Sequence, residues 1–465
     1  MEVLGIVLSL FLLMLFAYRG FSVILFAPVF ALLAAVSQGF SPMPAYTELF
    51  MAKAVVYIKS FFPVFMLGAV FGKVMEDTGL AKSIAHAIIA GLGKERAILS
   101  VVMACAVLTY GGVSLFVVVF AVYPFASALY KEADLPKRLI PGTIALGSFT
   151  FTMDCVPGTP QIQNIIPTNF FGTTLYAAPI SGIIGGSLIL ILGMTWLTRR
   201  LKAAKAKGEG YGTGHTNEPP AVDESNLPNW VLSVLPLICV LVFNFIFTKI
   251  YVWNPGLLDP FVAMKLPLMA PAVKNVVSIW ALIAALVLGI ALAIGLGYTR
   301  LPKGGLAKAL NAGAIGSLLA IMNTASEVGY GNVVASLPGF KSISTALLGI
   351  QVGGSPLVSE AVTVNVLAGI TGSASGGMSI ALDLMSKDWM AWAAKINMSP
   401  EILHRVASMA SGGMDTMPHN GAVITLLAVC GLTHSQSYPD IFAMTVIKTS
   451  MVFIIIAIHS LTGIL

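Results

Sequence analysis

The apolar positions of the chain fall in runs too long for strands and too continuous for the helices of a water-soluble fold. Residues 3–18, 22–38, 97–123, 173–197, 229–250, 275–298 and 440–463 are nearly unbroken apolar stretches. A helix that crosses a bilayer needs about 20 such residues, so each predicts a spanning helix. Between them, 61–75, 84–92, 139–171, 310–335, 343–372, 376–394 and 406–433 are apolar but interrupted by Gly, Pro, Ser and Asn. Backbone that leaves the helix at membrane depth survives only where protein covers it or where it lines a cavity. The interrupted stretches therefore predict a transport pathway and the clean ones its surround. Residues 3–18 have no basic segment before them and no small-residue cleavage pattern after them, so they read as a retained first span.

One polar segment, 198–228, splits the chain near its middle. It opens with Thr198-Arg199-Arg200-Leu201-Lys202 and continues through Lys205 and Lys207, the densest basic cluster, which predicts a cytoplasmic linker. Span 229–250 then leaves the cytoplasm. Span 275–298 returns to a second basic turn, Thr299-Arg300-Leu301-Pro302-Lys303. Arg19 marks a third cytoplasmic turn, between the first two spans. On this topology the chain divides into a half 1–197 (clean spans 3–38, interrupted core 60–197) and a half 229–465 (clean spans 229–298, interrupted core 310–465). The first core is entered from outside and the second from inside, so the halves predict two inverted repeats with both termini outside.

The two cores share a motif. Met153-Asp154-Cys155-Val156-Pro157 matches Met414-Asp415-Thr416-Met417-Pro418, an offset of 261 positions (414 − 153). The same offset carries Tyr110-Gly111-Gly112-Val113-Ser114 onto Thr371-Gly372-Ser373-Ala374-Ser375. With a gap, Glu76 resembles Glu327. Repeats of opposite topology with broken helices place substrate near the bilayer midplane. A helix break exposes N–H groups on one side, suited to a carboxylate, and C=O groups on the other, suited to a cation. Glycine permits the turn and proline frees a carbonyl.

These breaks supply the candidate residues. Gly111-Gly112 and Gly372-Ser373 are expected at hairpin tips, with Tyr110, Ser114, Thr371 and Ser375 around them. Gly376 and Gly377 are as well explained by close helix packing. Thr159, Gln161 and Asn164 follow the first proline; His419 and Asn420 follow the second. All can hydrogen-bond a hydroxylated substrate. Asp154 and Asp415 lie in apolar sequence far from any basic cluster. Acids within membrane segments are rare and usually functional. Each is either a proton carrier or the N-cap of a restarting half-helix, and the two readings are compatible. Glu327 and Glu360, in interrupted stretches, are further proton-coupling candidates, while Asp383 is expected near an interface beside Lys387.

Composition narrows the class. Of 465 residues, 57% are hydrophobic and 10% charged, against about 25% charged in soluble proteins. Mean hydropathy is +0.90, which a water-exposed surface cannot accommodate. The net charge of +6 sits in short clusters between apolar runs, as membrane topology requires, and not in a nucleic-acid-binding patch. Cys105, Cys155, Cys239 and Cys430 form no CxxC pair and read as small core residues. No P-loop, GxSxG or HExxH occurs. The six histidines are scattered, so an integral membrane enzyme is disfavoured, and no cofactor or metal is expected.

The stretches Thr109 to Phe116, Asp154 to Asn164, Gly372 to Gly377 and Ala410 to Asp415 resemble the gluconate:proton symporter family, within a larger ion-transporter superfamily. The resemblance covers nearly the whole chain. It implies an all-α polytopic membrane protein with a scaffold part, a transport part, two re-entrant hairpins, elevator-like movement and a homodimer. It also implies proton-coupled uptake of a small hydroxy-carboxylate across the bacterial inner membrane. Val156-Pro157-Gly158-Thr159-Pro160-Gln161 stands where gluconate carriers have a His-Pro-containing run, and it is closer to the branch associated with 3-hydroxybutyrate. A sodium-coupled anion symporter or a sodium/proton exchanger of the same superfamily is the alternative. The abundance of Ser, Thr, Asn and Gln near the breaks favours the anion, since a cation exchanger needs clustered carboxylates.

Overall fold

The computed structural model describes residues 2–465 except 20, 216–217, 220–225, 267, 269, 271, 302–304, 351 and 419. The first half runs α1 (Glu2–Tyr18), α2 (Val23–Ser37), a long α3 (Pro42–Asp77), α4 (Leu80–Leu92), α5 (Ala97–Tyr110) and α6 (Leu115–Glu132). Then come α7 (Ile140–Ser148), a short turn Phe151–Asp154, α8 (Ile162–Phe171) and α9 (Pro179–Ala206). The second half runs α10 (Trp230–Ile250), α11 (Val277–Arg300), α12 (Gly305–Ser336), α13 (Pro338–Leu348), α14 (Leu357–Thr371) and α15 (Ala374–Lys395). It closes with α16 (Pro400–Gly412), a short turn Gly413–Thr416, α17 (Gly421–Cys430) and α18 (His434–Thr462).

The order recurs across the linker, and so do the lengths. α5 and α14 have 14 and 15 residues, α8 and α17 have 10 each, and α9 and α18 have 28 and 29. Among the described residues, α3, α9, α10, α11, α12 and α18 are long and apolar enough to cross a membrane. Leu4, Phe11, Leu25, Val231 and Leu319 project from the outside of the bundle, where lipid and not water can solvate them.

Several expectations change. The apolar run 97–123 is not one span: Gly112, at φ +94°, turns the chain between α5 and α6, and the two helices pack side by side. Gly372, at φ +68°, does the same between α14 and α15. Conversely 61–75 and 310–335, read as interrupted, lie inside the continuous helices α3 and α12. Those two pack chiefly on each other, α12 also on α2 and on α15 of the second core, and α3 also on α11. Gly377 is a packing residue, because a Cβ there would overlap the Ala368 backbone across the hairpin.

The linker is also more than a polar spacer. It folds back on the turn between α6 and α7. Glu209 takes both Nε (2.6 Å) and a terminal nitrogen (2.9 Å) of Arg138, and buried Asp440 of α18 accepts from Arg138 (3.3 Å) and Arg200 (2.7 Å). Tyr211 is buried, with its hydroxyl 2.7 Å from Ser127, while Glu218 accepts from Lys137 at 2.7 Å. The Arg138 guanidinium holds the Glu209 carboxyl below the usual glutamate range. A depressed folded value stabilises above the unfolded value and is lost as pH falls through the folded one. Glu209→Gln should therefore lower stability at neutral pH by about 1 kcal/mol or less, the bond being part-exposed. That deficit should close as the pH drops below about 4.3, the ordinary glutamate value. Thermal unfolding midpoints of the two proteins across pH check this; a deficit that persists in acid would show the pairing contributes nothing.

Candidate functional site

Each half breaks a helix at its Met-Asp motif, and the two breaks meet in the protein interior. In the first, α7 stops at Ser148 and α8 begins at Ile162, so the intervening carbonyls lose their helical partners. Side chains from elsewhere replace them. Arg405 of α16, fully buried, donates to the Asp154 carbonyl (2.5 Å), the Ala177 carbonyl (2.8 Å) and Asn164 Oδ1 (3.1 Å). Ser408 also donates to the Asp154 carbonyl (3.0 Å). Asn164 donates to the carbonyls of Thr159 (3.0 Å) and Leu175 (2.9 Å), and its Oδ1 lies 3.1 Å from His404 Nε2. Gln161 reaches the carbonyls of Thr109 (2.7 Å) and Val113 (3.3 Å), tying the break to the α5–α6 turn. Tyr110 ties it again by donating to the Pro157 carbonyl (2.9 Å). Of the residues proposed to meet a substrate here, Gln161, Asn164 and Tyr110 are thus committed to backbone. Thr159 Oγ1 is buried without a partner.

Asp154 is not isolated from basic residues, as its sequence surroundings suggested. Its carboxylate forms an ion pair with Lys448 of α18, both side chains being essentially buried, and accepts from Cys155 Sγ. Gly412 lies against this pair, and a Cβ there would overlap the Asp154 carboxylate.

Asp415, at the equivalent place in the second motif, is held differently. Oδ2 accepts from Gln163 Nε2 at 2.7 Å, and Oδ1 accepts from the Ala374 N–H and Asn420 Nδ2, both at 3.3 Å. Ala374 is the first residue of α15, Asn420 caps α17 by accepting from the Ala422 N–H (2.7 Å), and Gln163 is in the first turn of α8. One helix N-terminal N–H and two side-chain amides from the starts of other helices therefore converge on one carboxylate, a donor set that favours an anion. Asn420 also donates to the Gly372 carbonyl at 2.9 Å, joining the second break to the α14–α15 turn. The N-caps are Ser373, which accepts from the Gly376 N–H (3.1 Å), and Asn420; neither aspartate caps its own restarting helix.

The remaining candidates scatter more widely. Ser375 lies 3.4 Å from both Ser373 and Thr324, while Thr371 ends α14. Gly111 faces Leu237 of α10, and Ser114 precedes α6 without a side-chain capping bond. Glu327 of α12 is buried against Gly376, with Oε2 unpartnered. Glu360 begins α14 with both carboxylate oxygens unpartnered, eleven residues (371 − 360) from the hairpin turn, so about 16 Å along the helix. Glu76 is in the last turn of α3, bonded to Lys73 at 3.3 Å, and has no positional likeness to Glu327. Asp383 pairs with Lys53 (2.5 Å), not Lys387. His419 lies outside the described residues. Cys105, Cys155 and Cys430 are buried free thiols and Cys239 is half-buried.

A model of GntP family permeases matches residues 1–461. The chain belongs to the GntP permease family. It is 52% identical over 475 aligned positions to the transporter YxjC of Bacillus subtilis, covering the whole of both chains. A transporter of Haemophilus influenzae is 29% identical over 179 residues, 38% of this chain and 40% of that one. Two solved transporters share the fold: YdaH of Alcanivorax borkumensis (TM-score 0.55, 13% identity, 94% and 96% of the two chains) and MtrF of Neisseria gonorrhoeae (TM-score 0.53, 11% identity, 94% of each). The permease is accordingly a multi-pass membrane transporter and not an enzyme.

Sequence reading missed Lys448, Arg405 and Gln163. Lys448 carried a usable signal, as the one Lys in the apolar run 440–463. Removing one partner of a buried ion pair leaves an uncompensated charge, which typically costs about 3–5 kcal/mol. Asp154→Asn and Lys448→Met should each destabilise the purified permease by that order, and the double variant should recover most of the loss. Thermal unfolding in detergent measures it; additive losses in the double variant would show that the two charges do not stabilise one another.

Proposed function

We propose that this permease takes up a small hydroxy-carboxylate, 3-hydroxybutyrate or a gluconate-like sugar acid, together with protons across a bacterial inner membrane. The observation that carries the reading is the convergence of the first N–H of α15 and the side-chain amides of Gln163 in α8 and of the α17 cap Asn420 on a single buried point. Such a point binds carboxylates through backbone and amide N–H groups. The same donors argue against sodium as the coupling ion. A hard cation needs oxygen ligands, whereas the Asp415 oxygens face N–H groups and Asp154 faces an ammonium. Buried acids remain as proton sites: Asp415, Asp154, Glu327 and Glu360.

The two halves, 1–197 and 229–465 about the linker 198–228, act in this reading as inverted repeats. α1–α3 and α10–α12 form a scaffold, and α5–α9 with α14–α18 form a transport part that moves against it as an elevator. The packing of α3 on α12, and of α16 and α18 within their own group, supports that division. The resemblance to gluconate:proton symporters implies a homodimer in this reading.

Uptake of labelled 3-hydroxybutyrate and of gluconate into vesicles decides the main points. One of the two should accumulate with sodium absent, and collapsing the proton gradient should abolish accumulation. Accumulation that survives collapse of the gradient would sink proton coupling, and dependence on added sodium would favour the sodium-coupled alternative.

A further inference from the structure

The Asp415 carboxylate already sits in the seat that a substrate carboxylate would need. It takes the first N–H of α15, the amide of Gln163 and the amide of the α17 cap, Asn420. With those donors engaged, an incoming anion meets both a lack of donors and a like charge. The site has a second unusual feature. Gln163 is 3% exposed, and while its Nε2 serves Asp415, its Oε1 has no partner. A buried acceptor left open suits a ligand that brings its own hydroxyl.

We propose that Asp415 is an internal anion that competes with the substrate carboxylate for this seat, and that a proton taken up by Asp415 vacates it. This rests on the hydroxy-carboxylate reading above and specifies how proton and substrate are linked at that site. The balance is simple. One proton from the aqueous phase neutralises one carboxylate, the Ala374 N–H and the Gln163 and Asn420 amides turn to the entering one, and a substrate hydroxyl donates to Gln163 Oε1. No covalent bond other than the O–H is made, and the charge of the site is the same before and after for a monoanion. Loss of the proton on the opposite side returns Asp415 to its donors and expels the substrate.

Of the other charged groups nearby, the cations and Asp154 have partners of their own, whereas Glu327 Oε2 and both oxygens of Glu360 do not. Lys448 of α18 and Asp154 of the first break lie within Coulombic reach of Asp415 but are engaged with each other. Arg405 and His404 of α16 face Asn164 and the Asp154 carbonyl. On α18, Tyr438 donates to the Thr416 carbonyl and His434 lies against the Pro418 carbonyl. Glu327 approaches α15 at Gly376, two residues beyond Ala374, and Glu360 of α14 is three turns from the hairpin turn.

The test measures proton uptake on adding 3-hydroxybutyrate or gluconate to the full-length permease in weakly buffered lipid nanodiscs. Wild type should take up close to one proton per bound anion near neutral pH, with affinity weakening by up to about tenfold per pH unit on the alkaline side. Asp415→Asn should bind without proton uptake and with pH-independent affinity, while Asp415→Glu should keep the wild-type linkage. Wild-type binding without proton uptake, or linkage that survives in Asp415→Asn, overturns the proposal. If neither anion binds wild type at any pH, the substrate assignment fails. The internal anion is then judged by infrared difference spectra of substrate-free protein carrying isotope-labelled aspartate. A protonated aspartate carbonyl band should rise on acidification and be missing in Asp415→Asn, or in Asp415→Ser should the asparagine variant not fold. Absence of that band in wild type overturns the proposal by itself.

Discussion

A helix can be broken inside an apolar body only if other groups satisfy the carbonyls and N–H groups that the break releases. Several of the polar side chains in the interior of this permease answer that demand. Arg405 and Ser408 serve the Asp154 carbonyl, Asn164 serves Thr159 and Leu175, Gln161 serves Thr109 and Val113, Tyr110 serves Pro157, and Asn420 serves Gly372. Apart from Asn164, these donors come from segments distant in sequence, so the two breaks and the two hairpin turns are fastened into one block. The rigidity that a binding site needs follows from bookkeeping of backbone hydrogen bonds, and the site is made of what is left over.

What is left over differs between the halves. The first motif's carboxylate has a resident ammonium, so its charge is neutralised by the protein itself. The second motif's carboxylate has only N–H donors and helix ends. Repetition in sequence has produced an ion-paired carboxylate in one half and one held by N–H donors alone in the other. A buried ion pair with good geometry specifies an arrangement more than it adds stability, and Lys448 accordingly fixes where α18 lies against the first break.

The fold was legible to the extent that it depends on local pattern. Apolar run lengths located α1, α2, α10 and α11 to within a few residues and α9 and α18 less closely, the first running on into the basic linker and the second starting earlier in polar sequence, and a fixed offset located both breaks and both hairpin turns. The long helices α3 and α12 were misread because Gly, Ser and Asn within them looked like interruptions. Gly313 and Gly329 instead let α12 approach Val70 and Phe50 closely, which composition cannot distinguish from a break. Within the site, residue type revealed which positions are polar but not which polar group each one meets. Gln161 and Gln163 are two residues apart in one turn; one binds backbone and the other faces Asp415. Asp154 looked unpaired because its cation arrives from 294 positions away.

The linker has a mechanical consequence. Its first part, to Glu218, is bound to the turn between α6 and α7. Its last part is pinned elsewhere: Arg300 at the end of α11 donates to the Asn226 carbonyl (2.6 Å), and Ser83 of α4 donates to the Pro228 carbonyl (2.6 Å). Only the chain between 218 and 226 joins the two attachments. At a maximum of about 3.6 Å per residue, eight peptide units reach no further than about 29 Å. The linker is then a leash of fixed length, and its covalent reach caps how far the two attachment points can separate however the helices slide.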